Sequence, residues 1–131
     1  MAQLNPMIFL IDDDPIHQQI ARLMFDRQVI SSRVVSFHDA KTALNHLREH
    51  AGQPDNLPDL ILLDLNMPVM DGWEFLDEYE KISDTLSKAI RIHVLTSSVN
   101  DGDLSRAKQY GSVDGYLVKP LNRAVISSLL N

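Results

Sequence analysis

The chain has 131 residues, 44% hydrophobic and 23% charged, the size and balance of one globular domain that can bury a core without staples. Its 12 Lys and Arg against 18 Asp and Glu give a formal charge of -6, and the basic residues are scattered, which argues against a nucleic-acid surface. Cysteine is absent, which excludes disulfides, thiolate metal sites and thiol nucleophiles, and no apolar run approaches the roughly 18 residues of a membrane span. Met1 to Pro6 lacks a charged-then-apolar signal pattern, so the expectation is a soluble, cytoplasmic protein without membrane insertion.

Met7 to Ile11 is an apolar run ended by Asp12, Asp13 and Asp14, and reads as a first buried strand. Asp14 and Pro15 suit the cap and first residue of a helix reaching about Gln28, with Ile16, Ile20, Leu23 and Met24 as its expected apolar face. Arg33 to Phe37 is a short β-branched strand. Asp39 then caps a helix that turns Ala40, Ala43, Leu44 and Leu47 inward and stops at Gly52. After a loop over Gln53 to Pro58, the consecutive apolar residues Leu60 to Leu63 fit a strand buried on both faces, delivering Asp64 at its end. Pro68 blocks further pairing, and Asp71 with Glu74 forms a capping box for a third helix buried through Phe75, Leu76, Tyr79 and Ile82. Ser83 to Ala89 reads as a linker. Ile90 to Leu95 is a fourth strand, with Arg91 near its entry end and His93 a satisfied core or edge histidine; Thr96, Ser97 and Ser98 follow. Asp101 to Tyr110 is a weak helix with a thin stripe of Leu104, Ala107 and Tyr110, in which Asp101 and Asp103 read as capping acids before the stop at Gly111. Gly115 to Val118 is a fifth strand ending in Lys119-Pro120, and Leu121 to Leu130 closes the chain with Leu121, Val125 and Leu129 in phase.

Strands alternating with helices indicate an α/β domain with one five-stranded parallel sheet, doubly wound, in the order 2-1-3-4-5. That order brings Asp12 and Asp13 beside Asp64 at the reversal point and lines up Thr96 and Lys119 along the same rim. Carboxylates gathered this closely must keep protons or hold a cation, and an all-oxygen donor set favours Mg2+. Lys119 supplies a point charge for a phosphate and Thr96 a hydroxyl donor. These parts match phosphoryl transfer, with Asp64 as the nucleophile forming an aspartyl phosphate.

The combination of Asp12-Asp13, Asp64 with Met67-Pro68 and Asp71-Gly72, Thr96, and Lys119-Pro120 resembles the receiver domain of the two-component response regulators, of the CheY-like, flavodoxin-like fold, over Met7 to Leu130. The resemblance implies that Asp64 accepts a phosphoryl group from a sensor histidine kinase or a histidine phosphotransfer protein. Asp13, Asp64 and the backbone carbonyl of Asn66 would ligate Mg2+, or Mn2+ as a substitute, with Asp12 acting through water. Lys119 would pair with phosphoryl oxygens, Thr96 and Tyr116 would form the switch, and Ser97, Asn66 and Ser98 would flank the phosphoryl group. The Lys119-Pro120 bond would be cis. A downstream protein target would read the fourth helix, fifth strand and fifth helix, as a monomer or a phosphorylation-dependent homodimer. Residues 1–131 are expected to form a single receiver domain without an output domain, a signalling switch and not an enzyme.

Two other functions share parts of the pattern. An aspartyl-nucleophile phosphatase of the haloacid-dehalogenase type also uses an Asp and Mg2+ on a parallel sheet, but it needs an acid two residues past the nucleophile, where Asn66 stands. A binding module that has lost phosphorylation is opposed by the intact Asp13, Asp64, Thr96 and Lys119. His46 and His50 share a helix face without an evident third metal ligand.

Overall fold

The computed structural model describes residues 5–97 and 100–130. The strands are β1 (Met7–Ile11), β2 (Arg33–Phe37), β3 (Leu60–Asp64), β4 (Arg91–Thr96) and β5 (Val113–Val118). The helices are α1 (Pro15–Asp26), α2 (Ala40–Glu49), α3 (Gly72–Ile82), α4 (Asp101–Ala107) and α5 (Arg123–Leu130), with short 3-10 turns at Pro54–Asn56 and Ser83–Thr85. All pairings are parallel and the sheet order is β2-β1-β3-β4-β5, the order expected from right-handed crossovers.

The pleat sorts the core into two layers. Phe9, Ile11, Ile61, Leu63, Ile92 and Val94 point to one face, where Leu44, Leu47, Phe75 and Leu76 of α2 and α3 cover them. Ile8, Leu10, Leu60, Leu62 and Leu95 point to the other, under Ala21, Phe25, Ile126 and Leu129 of α1 and α5. Every residue of β3 is buried, which is why its sequence is a continuous apolar run and not an alternation. At the amino edge of the sheet the buried Asp59 accepts from the Met7 N–H (2.8 Å) and pairs with Lys88 (2.8 Å).

Capping follows the sequence closely. Asp14 accepts from the Ile16 and His17 N–H groups, Asp39 from Thr42, and Asp71 with Glu74 makes both bonds of a capping box. In α4 the cap is Asn100, whose side chain accepts from Gly102 and Asp103, so Asp101 and Asp103 lie in the first turn, where acids favour the helix dipole. Asn122 caps α5 through the Val125 N–H at 2.9 Å, moving the helix start two residues past Leu121.

Helix α1 corrects the expected apolar face. Ile16 (66%), Ile20 (36%) and Leu23 (55%) are exposed, Met24 is only partly buried, and the inward residues are His17, Gln18, Ala21 and Phe25. The cause is polar: Gln18 Nε2 donates to the carbonyls of Leu10, Asp12 and Phe37, and His17 meets the Asp12 carboxylate. Acceptors at the strand ends need donors, and satisfying them sets the rotation of the helix. Other differences are smaller. Strand β5 begins at Val113, α4 ends at Ala107, and in α5 Ile126 is fully buried while Val125 is only partly so. His93 keeps a buried Nδ1 without a hydrogen-bond partner among the described residues, contrary to the expectation of a satisfied histidine, and it lies against Gly115, where a Cβ would collide with the imidazole ring.

Two loop residues fix the approach from β3 to α3. Val69 has φ of 68°, a left-handed conformation that a β-branched residue rarely adopts. Gly72 packs so closely that a Cβ would stand 2.8 Å from both the Asp64 carbonyl oxygen and Leu65 Cα. Backbone atoms cannot yield as a flexible side chain does, so Gly72→Ala should lower the unfolding free energy by about 2 kcal/mol. Urea denaturation measures this, and an unchanged midpoint would show that the contact is not limiting.

Candidate functional site

Register alone assembles the site. Ile11 pairs with Leu63, so the next residues, Asp12 and Asp64, emerge side by side from β1 and β3. Asp64 pairs with Leu95, which sets Thr96 one step beyond on β4, and Thr96 pairs with Val118, which sets Lys119 one step beyond on β5. The Lys119 N–H donates to the Thr96 carbonyl at 2.7 Å. The Lys119-Pro120 bond is cis, as expected.

Lys119 Nζ lies 2.9 Å from Asp12 Oδ2 and 3.2 Å from Asp64 Oδ2. Asp12 accepts in addition from the Asp14 N–H on Oδ1 (3.0 Å) and from His17 Nδ1 on Oδ2 (2.5 Å). Asp64 Oδ1 accepts from the Asn66 N–H at 3.1 Å. Asp12, Asp64 and Thr96 are buried, and one carboxylate oxygen each from Asp12, Asp13 and Asp64 lie within 4.8 Å of one another.

The two buried carboxylates are tuned in opposite directions. Burial pushes the Asp64 carboxyl up to about 6; the Asn66 N–H and Lys119 work against this, and the Asp12 charge adds to it. Burial also works upward on Asp12, but bonds from His17, the Asp14 N–H and Lys119, with the lysine's charge, outweigh it and bring Asp12 down to about 2. On Lys119 burial works downward, and the bonds and charges of Asp12 and Asp64 more than reverse it. The lysine is therefore chiefly the partner of Asp12, and Asp64 carries negative charge in a buried place with incomplete compensation. An all-oxygen cluster with surplus negative charge has the chemistry of a hard divalent-cation site.

Of the remaining residues expected here, Asn66 and Ser97 are exposed at the same rim, and Ser98 lies outside the described residues. Tyr116 is half-buried, beside Val94 in the sheet, and lines a cavity of about 170 Å3 with Leu104, Ala107 and Lys108. His46 Nε2 contacts the Asn56 carbonyl (3.0 Å) and His50 Nδ1 the Gln53 side chain (2.6 Å), so each ring is held by a local partner. Sequence reading passed over His17 and Gln18 as parts of this site, and it gave Gly72 as a motif residue without its steric role. The buried spacing of His17, Ala21 and Phe25, at successive fours, was a signal for the first, because it competes with the Ile16, Ile20 and Leu23 stripe.

A doubly wound sheet with a lysine and three carboxylates at its topological switch point defines a small α/β domain whose acidic cluster could hold a metal ion. The chain belongs to the response regulator receiver domain family, whose model matches residues 8–131. The probable methanogenesis regulatory protein FilR2 of Methanothrix harundinacea is 39% identical over 116 residues, covering 88% of this chain and 73% of its own. A two-component response regulator from Cytophaga hutchinsonii superposes with a TM-score of 0.86 at 26% identity, over 97% of this chain and 95% of that one. The response regulator Rcp1 of Synechocystis sp. is 32% identical over 90% of this chain and 80% of its own, and its Mn2+-bound form superposes with a TM-score of 0.74 at 29% identity, over 95% and 88% of the two chains. Receiver domains are signalling switches of two-component systems: they take phosphoryl groups from histidine kinases and regulate downstream targets. No helix among the described residues is long and apolar enough to cross a membrane.

Because the folded state holds the Asp64 proton more tightly than the unfolded chain does, the penalty for ionising it is absent below the ordinary value of 3.8 and complete above about 6. Asp64→Asn should therefore stabilise the metal-free protein by on the order of 2 kcal/mol near pH 8 and by little near pH 4. Urea titrations at the two pH values check this, and a difference that does not change with pH would contradict it.

Proposed function

We propose that this chain is a phosphorylation switch whose phospho-acceptor is Asp64. A donor protein, a sensor histidine kinase or a histidine phosphotransfer protein, presents a phosphoryl group on an imidazole nitrogen. An Asp64 oxygen attacks the phosphorus as the P–N bond breaks and the imidazole leaves with that electron pair, which gives an aspartyl phosphate. Asp13, Asp64 and the Asn66 carbonyl would hold Mg2+, or Mn2+ in its place, with Asp12 acting through water. A cation held there would supply positive charge to offset that of the phosphoryl oxygens. Lys119 moves its ammonium onto a phosphoryl oxygen, and Thr96 donates its hydroxyl to another. Attack by water on phosphorus releases inorganic phosphate and restores the carboxylate, at a rate that Asn66 and Ser98 would tune.

The observation that carries this reading is the contact of Lys119 Nζ with Asp64 Oδ2 at 3.2 Å inside a cluster of three carboxylates. An anion arriving at Asp64 finds a cation already in place, and a metal finds its oxygen ligands gathered. The donor's docking surface is supported by the uncovered apolar stripe of α1, Ile16, Ile20 and Leu23, on the helix that starts directly after the acidic run. The output is assigned to the α4, β5 and α5 face. Displacement of Thr96 toward the phosphoryl group would let the Tyr116 ring turn inward, a discrete repacking of the kind two-state elements undergo. The chain is read as a single receiver acting in the cytoplasm on a partner protein, with monomer and phosphorylation-dependent homodimer both compatible.

Incubation with acetyl phosphate and Mg2+ should add one phosphoryl group to the intact chain by mass spectrometry, and Asp64→Asn should reduce the adduct at least tenfold. An adduct of undiminished yield in Asp64→Asn would overturn the assignment. Sustained turnover of phosphomonoesters would favour a phosphatase instead.

A further inference from the structure

We propose that His17 is a positioning residue of the cation pocket, holding the Asp12 carboxylate in place while Lys119 leaves it. His17 sits in the first turn of α1 and is 4% exposed. Its Nδ1 lies 2.5 Å from Asp12 Oδ2. Its Nε2 is buried and has no hydrogen-bond partner among the described residues. A buried imidazole nitrogen without a partner costs the fold relative to an apolar side chain of similar size. Packing alone would thus be better served by leucine, and what the histidine contributes lies at its other nitrogen.

That nitrogen is aimed by a rigid frame. The Asp14 carboxylate accepts from the His17 N–H at 3.4 Å, and Gln18 Nε2 ties the same turn to the carbonyls of Leu10, Asp12 and Phe37 at 3.0 to 3.1 Å. The first turn of α1 is therefore locked to the ends of β1 and β2, and the His17 ring cannot drift from Asp12. An ionised carboxylate only accepts, so Nδ1 carries the proton in this bond.

Among the described residues Asp12 has three donors: the Asp14 N–H on Oδ1, and His17 and Lys119 on Oδ2. On the proposed phosphorylation reading, which this inference rests on, Lys119 transfers to the phosphoryl oxygens. Among the described residues, Oδ2 then keeps only His17. Without it the carboxylate could rotate about its remaining Oδ1 bond, and the water and cation it orients would lose a fixed partner. Hydrogen-bonded supports of this kind typically govern metal affinity by 10- to 100-fold.

The test is Mg2+ binding to the full chain by calorimetry with no phosphodonor present but with beryllium trifluoride in excess, a phosphoryl mimic that draws Lys119 off Asp12. His17→Leu removes the donor along with the orphaned nitrogen, and His17→Asn places an amide N–H near the Nδ1 position. The expected result is at least about a tenfold weaker Mg2+ affinity for His17→Leu, with a thermal midpoint equal to or above that of the parent, and an affinity within about threefold of the parent for His17→Asn. Parental affinity in His17→Leu, or a loss that His17→Asn does not restore, would overturn the proposal. A 15N NMR spectrum of the unmodified chain keeps it open to refutation should His17→Leu not fold: the Nδ1–H signal should persist at saturating Mg2+, and its loss would contradict the assigned role. Absence of any Mg2+ binding by the parent chain would instead count against the cation pocket itself.

Discussion

The structure turns on a charge imbalance that the sheet enforces. One ammonium, Lys119, serves two buried carboxylates, and it lies nearer to Asp12 than to Asp64. Asp12 is consequently held ionised by its donors, while Asp64, buried beside the Asp12 charge, retains a raised proton affinity. Removing one partner of a buried ion pair ordinarily costs several kcal/mol. Here the arrangement is tolerable because the cluster lies at the rim, where Asp13 is the more open member and a cation can enter from solvent. The imbalance that burdens the fold is the same feature that would favour a metal and a phosphoryl group.

The rest of the molecule fixes the geometry of that rim. Parallel pairing delivers Asp12, Asp64, Thr96 and Lys119 from four strands in one line, and the wholly apolar β3 anchors the middle of it. Gly72 lets α3 start against the backbone of Asp64 and Leu65, which holds the acid's loop close. Farther along, Trp73 stacks on Tyr110 with ring centroids 5.9 Å apart, Arg106 lies 4.5 Å over the Trp73 ring, and the Tyr110 hydroxyl donates to Asp77 at 2.8 Å. These contacts attach the short α4, which buries only Ala107, to the helix that begins at the acidic loop. A weakly anchored helix tied to the site in this way can shift without disturbing the core, since elements with few buried contacts open at low cost.

Much of this was legible in the residues, for identifiable reasons. The strand order and the convergence of Asp12, Asp13, Asp64 and Lys119 followed from topology, because parallel strands bring their carboxyl ends to one edge whatever their side chains. The caps at Asp14, Asp39 and Asp71 were equally plain. The rotation of α1 was not. Hydrophobicity favoured Ile16, Ile20 and Leu23 as its buried face, whereas the strand-end carbonyls and the Asp12 carboxylate drew in Gln18 and His17, and no count of apolar residues registers that demand. Gly72 was visible as a motif residue, yet its steric role depends on a 2.8 Å approach between segments that a linear reading does not measure.

The central claim is that these separate strand ends act together on Asp64. A crystal structure of the chain with Mg2+ and beryllium trifluoride, a tetrahedral mimic of a bound phosphoryl group, tests it most directly. The account predicts the fluoride adduct on an Asp64 carboxylate oxygen, the cation shared by Asp13 and Asp64, and Lys119 Nζ withdrawn from Asp12 onto a fluorine. An adduct on another carboxylate, or a cation bound away from the Asp12, Asp13 and Asp64 cluster, would contradict it.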